Sequence, residues 1–321
     1  MWKSCVTAMV AISVAATSTA GASSAPKRQA LENLRGTELI EYAAAPYIQF
    51  RQDVDYVAGA IPADEGTMRS AHHRLASHDQ RALAGAWVAY AGMIAADTPE
   101  FVSSIAALRR QMGDKGLNEK LINDPSMVRN LRGSQAAVDA ILAFAANDAA
   151  KVNALGNAMI SKAYSLQDSP WARRKLAQRG MERVDQAIAF AARRDWKTPA
   201  VKAKSQRGLK SPNLDHTNIW SVSWAGDKAK LGSNVRAGSI VTKALILGAH
   251  YTMDNATNDI LAAHGTSARS ERCFTSAKLN LDQCVAATRT PYEEAFCLGQ
   301  HALNDMSSCI GWPAGVSAAG S

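Results

Sequence analysis

CFTSAKLNLDQCVAATRTPYEEAFCLGQHALNDMSSC (residues 273–309) holds four of the five cysteines of this 321-residue chain, spread over two helix-length stretches. Cys273 and Cys284 lie eleven residues apart, close to three α-helical turns, so on a helix both face the same way. Thr290-Pro291-Tyr292-Glu293 then reads as a capping box with proline at the first helical position, and the helix it opens carries Cys297 and Cys309. Within one helix such cysteines stand roughly 16 Å apart, far beyond disulfide reach, so each must pair across the turn. A short turn makes the two helices antiparallel, which excludes the crossed pairing. Nested bridges are expected, Cys284–Cys297 inside and Cys273–Cys309 outside. No Cys-x-x-Cys is present to lower a thiol pKa, so structural bridges are expected and a redox pair is not.

The fifth cysteine, Cys5, sits in an apolar run near the N-terminus. Lys3, the apolar residues to about Ala16, and Ala20-Gly21-Ala22 together read as a secretory signal over residues 1–22 with an A-x-A cleavage site. The run is short of the roughly 20 residues a spanning helix needs. Cleavage leaves the four C-terminal cysteines, an even number in an exported chain, which favours disulfides over metal binding. A periplasmic or secreted protein is expected, not integral to the membrane once the signal is removed.

The rest of the chain reads as an all-α multi-helix array. Alanine is abundant, and proline and aromatic residues are sparse. Helical periodicity runs from Leu31 to Val57, where Pro46 is expected to kink the helix or start another. Leu83, Trp87, Tyr90 and Ile94 mark a further helix. Thr98-Pro99-Glu100 starts one that closes at Gly113. Asp124-Pro125 opens a short helix, and a long one runs from Ser134 to Leu166. Ser169-Pro170 is expected to cap an amphipathic helix with Ala177, Met181, Val184, Ile188 and Ala191 on its apolar face and Lys175, Arg179 and Arg183 opposite. The expected organisation is a helical domain over 23–196, an irregular loop or linker at 197–238 with a short strand at Trp220–Trp224, and helices over 239–321 ending in the hairpin, which can belong to the first domain.

The net charge is +8, and it is local. Between residues 169 and 210 twelve basic side chains, including Arg173, Arg174, Lys175, Arg179, Arg183, Arg193 and Arg194, face only Glu182, Asp185 and Asp195. Such a segment suits an anionic envelope surface or polymer, with Trp171 and Trp196 as interfacial anchors. The bland reading is a solvated helix face followed by a linker. Export and the lack of a reading motif argue against nucleic acid.

Motifs for serine hydrolases, zinc proteases, phosphate-binding loops and haem attachment are absent. Two His-x-x-x-Asp spacings, His250 with Asp254 and His301 with Asp305, place imidazole and carboxylate one turn apart and form a candidate divalent-metal quartet. The plainer reading is two i,i+4 polar pairs. His72, His73 and His78 with Asp79 read as a solvated helix start. The expected function is non-enzymatic binding or scaffolding at the cell envelope through the basic helix and loop, with no cofactor. The alternatives are a metal-dependent hydrolase of an envelope or extracellular substrate and a small-ligand carrier.

Overall fold

Residue 83 onward in QRALAGAWVAYAGMIAA is apolar on every side, and a helix with no polar face belongs in the middle of a core. In the computed structural model, which describes residues 33–194 and 238–316, it does. The first helix, α1 (Gly36–Gly59), runs through Pro46 without interruption. Next come α2 (Glu65–Ala76) and the central α3 (Gln80–Ala96), buried throughout from Leu83 to Ala95 except at Gly85. The long α4 (Pro99–Asn123) is two helical pieces joined at Gly113, whose φ of 72° is left-handed. Gly113 therefore interrupts the helix where the sequence expects it to stop, and the chain resumes to bury Leu117 and Leu121.

A 3₁₀ turn (Pro125–Arg129) leads to α5, Ser134–Leu166, with the bounds read from sequence. After residues 167–179 in turns, α6 spans Gly180–Arg193. On the far side of residues 195–237 follow α7 (Gly238–Met253), α8 (Asn258–His264) and α9 (Ala268–Ala287). The chain ends in α10 (Pro291–Cys297), a π-helical segment (Leu298–Asp305), α11 (Met306–Gly311) and a last 3₁₀ turn. There is no strand among the described residues. The expected signal at 1–22, most of the 197–238 segment and the Trp220–Trp224 strand lie outside them.

Helices from both sides of that segment build one core. α3 packs chiefly on α7 and α1. At its contact with α7, a Cβ on Gly92 would come within 2.9 Å of Leu247, and one on Gly248 within 2.8 Å of the Gly92 carbonyl, so the two backbones nearly touch. Beside them Tyr47, Trp87, Tyr90 and Phe144 form an aromatic cluster with ring centres 5.1–5.9 Å apart. Two carboxylates are buried with it. Asp148 accepts from the Tyr47 hydroxyl at 2.8 Å and pairs with Arg51 at 3.2 Å. Asp53 is fully buried against Arg74, His78 and Arg194.

The C-terminal segment is a disulfide-stapled helical hairpin with the nested pairing, Cys273–Cys309 and Cys284–Cys297. Its second arm holds a feature the sequence reading lacks. Cys297 and Cys309 are twelve residues apart, and on a pure α-helix the extra residue would turn the second sulfur about 120° away from the first. The π segment between them takes up that residue in wider i→i+5 turns, so both sulfurs meet their partners. The same segment presses against α5 where Gly299 and Gly156 meet; a Cβ on either would lie 2.8 Å from the other's carbonyl oxygen.

Candidate anion-binding site

Five residues of α2 recur at helical spacing, Glu65, Met68, Arg69, His72 and His73, and this face forms one wall of a cavity of about 240 Å³. The turn at 171–178 supplies Trp171, Arg174, Lys175 and Leu176 to the opposite side. Arg183 and Gln186 of α6, with Pro291 and Glu294 of α10, close the floor.

The turn replaces the helix expected from Ser169. Its backbone is committed elsewhere: Leu176 N–H donates to the Arg289 carbonyl at 2.8 Å, and the Ala172 carbonyl accepts from Tyr292 at 3.4 Å. Those bonds to the hairpin loop replace an intrahelical ladder, and they hold Arg173, Arg174 and Lys175 out in solvent. The helix begins only at Gly180, where a Cβ would sit 2.2 Å from the Ala286 carbonyl, so α6 starts hard against the end of α9.

The late start changes which face is buried. Met181 and Ile188, read as core-facing, are 61% and 57% exposed. Arg183, read as part of the exposed basic face, is buried. Its Nη1 donates to Gln178 (2.8 Å) and its Nη2 to the carbonyls of Val285 and Thr288 (both 3.2 Å) and to the Thr288 hydroxyl. Arg194 also turns inward, donating to Asp53 at 2.6 Å. Burial alone would raise Asp53, but hydrogen bonds from His78 and Arg194 outweigh it and hold the carboxyl below its ordinary range. Neither arginine is therefore part of an exposed anion-binding surface. Arg173, Arg174, Lys175, Arg179 and Arg193 are exposed; Arg179 pairs with Glu182 at 2.8 Å.

At the floor, Glu294 is buried with one oxygen 2.6 Å from His72 Nδ1 and the other 3.4 Å from Arg183 Nε. The second nitrogen of His72, Nε2, faces the Arg183 carbonyl at 3.0 Å. His73 stacks on Phe190, and burial followed by its neighbour His72 lowers its pKa, so the ring is neutral at pH 7. These histidines are not a solvated helix start. His72 and His78 are both buried, each against a carboxylate from a distant part of the chain. The available signal was the spacing of Glu65, Met68, Arg69, His72 and His73; what it lacked was Glu294, more than 200 residues away.

The metal quartet does not form. His250 and Asp254 end α7 in a Schellman motif: Asn255 N–H bonds the His250 carbonyl, and Asp254 N–H the Tyr251 carbonyl (both 3.2 Å). Asp254 sits at φ 55°, and its carboxylate caps α1 from outside, accepting from Thr37 N–H at 2.8 Å and from its hydroxyl at 3.0 Å. His250 Nδ1 lies 2.8 Å from the Asn255 side-chain oxygen, and burial lowers the pKa of its ring. His301 and Asp305 form their own i,i+4 pair at 2.8 Å on the π segment. No group of three or more His, Cys, Asp or Glu side chains suited to a metal exists among the described residues.

The chain matches no protein-family model, no curated protein and no solved structure. Among the described residues, no helix is long and apolar enough to cross a membrane.

Proposed function

We propose that this chain is an exported, non-enzymatic helical protein that binds anionic groups at the cell envelope through its basic turn. The observation that carries the reading is the convergence of exposed Arg69, Arg174 and Lys175 on one cavity, with Arg173 and Arg179 beside it on the same turn. None of Arg69, Arg173, Arg174 and Lys175 makes an ion pair among the described residues. Their field is therefore not cancelled internally and acts on whatever approaches. Export is supported by the N-terminal signal and the two bridges, which persist in oxidising compartments. Co-sedimentation with vesicles tests the reading: binding to vesicles rich in anionic lipid, weakening as salt rises, is expected. Equal binding to neutral and anionic vesicles, or none to either, ends it.

A second reading, carriage of a small apolar ligand, has one supporting feature. A shallow groove of about 390 Å³ runs between Tyr164, Tyr292 and Phe296 beside the inner bridge. Enhancement of an apolar dye's fluorescence, lost on Phe296→Ser, would favour it.

A further inference from the structure

We infer that the cavity between α2, the basic turn and α10 takes a phosphate monoester, the head group and not a polymer chain. This rests on the anion-binding reading and narrows it to one chemistry.

At the floor, Glu294 lies 2.6 Å from His72 Nδ1 and 3.4 Å from Arg183 Nε, so this one buried carboxylate is shared between two basic side chains. Arg69, Arg174 and Lys175 add three cations at the rim, against one remaining carboxylate, Glu65. A guanidinium fork fits two oxygens of a phosphate, which is why arginine recurs at such sites.

Size decides between a head group and a polymer. Sites for drug-sized ligands span about 300–1,000 Å³, and this cavity holds about 240 Å³. The apolar wall at Met68 and Trp171 suits the organic part of an ester better than a bare ion. A monoester is close to doubly charged at pH 7, because its second pKa is about 6, whereas a diester carries one charge.

Two sources share this chemistry, a free phosphate ester and a phosphatidic-acid-type lipid head group, and one set of measurements separates them. The chain lacking its signal is titrated calorimetrically with phenyl phosphate and, for comparison, diphenyl phosphate. The monoester is expected to bind at least about tenfold more tightly than the diester. The double variant Arg174→Gln/Lys175→Gln, confined to exposed side chains, is expected to weaken it by about tenfold or more. Arg110→Gln/Arg132→Gln removes the same charge away from the cavity and is expected to leave binding within about twofold. No saturable binding of phenyl phosphate, or equal weakening by the two double variants, overturns the inference.

Vesicle sedimentation supplies the other arm. Preference for phosphatidic acid over phosphatidylglycerol, lost in the Arg174/Lys175 variant, supports the inference and assigns the lipid source. Phenyl phosphate binding without sedimentation supports it with a free ester as ligand, and removes the envelope-surface reading alone. Sedimentation lost in Arg173→Gln/Arg179→Gln but intact in the Arg174/Lys175 variant keeps the surface reading and overturns the cavity.

Discussion

Asp148 is buried between Tyr47 and Arg51, and burial pushes its carboxyl up to about 6 even though Arg51 pulls the other way. Between about pH 4 and 6 the folded chain thus keeps a proton that the unfolded chain has released. The stability this proton contributes is fully present below about pH 4 and is lost as pH rises through 6, on the order of 3 kcal/mol. Urea denaturation across that window is expected to show the loss in the parent chain and a flatter profile in Asp148→Asn, which has no carboxyl to titrate. Equal slopes would mean that Asp148 stays ionised throughout. Residues of this kind are the least legible in sequence. Nothing around Asp148 or Asp53 separates them from surface aspartates, because their cationic partners arrive from other helices. The same holds for Arg183 and Arg194, whose neighbours in sequence are exposed bases.

Helices with strong local signals were readable to the residue. α5 follows its apolar periodicity from Ser134 to Leu166, and α10 follows its capping box at Thr290. The start of α6 is not legible locally, because the bonds that stop residues 169–179 from coiling go to Arg289 and Tyr292, outside any local window. The candidate ligands Asp254 and His301 are better understood as parts of helix ends and turns, and each gives a test. Asp254→Ala puts at positive φ a residue that tolerates the left-handed backbone less well than aspartate and removes the cap on α1, for an expected loss of about 2 kcal/mol in thermal or urea unfolding. Asp254→Asn tolerates the same backbone and keeps an acceptor, so it should stay within about 0.5 kcal/mol. A chelator-sensitive difference between the two would instead revive a metal role. The π segment makes an opposite kind of prediction. Deleting His301 leaves Cys297 and Cys309 eleven positions apart, matching the eleven-position separation of Cys273 and Cys284. The arm is expected to close into regular α-helix with both bridges intact by peptide mapping; scrambled or free thiols would show that the wide turn does more than take up one residue.

At the scale of the whole molecule the hydrophobic pattern was enough to give an all-α array, and the cysteine spacing enough to give the hairpin and its pairing. It did not give the cavity, which four separate segments assemble. One of those segments lies inside the inner covalent loop: Pro291 and Glu294 fall between Cys284 and Cys297. By loop length the outer bridge stabilises more, about 4 kcal/mol against about 3 for the inner one, yet only the inner bridge ties down a residue of the cavity floor without other residues of the fold in between. Cys284→Ser/Cys297→Ser is thus expected to weaken phenyl phosphate binding more than Cys273→Ser/Cys309→Ser does, while costing less stability; the reverse order would uncouple the loop from the floor. Before oxidation nothing covalent holds Glu294 against His72 and Arg183, so a newly made chain in a reducing compartment would have a poorly formed site. If the chain is exported and binds phosphate esters as proposed, oxidation would complete the floor, and binding would begin only in the oxidising compartment.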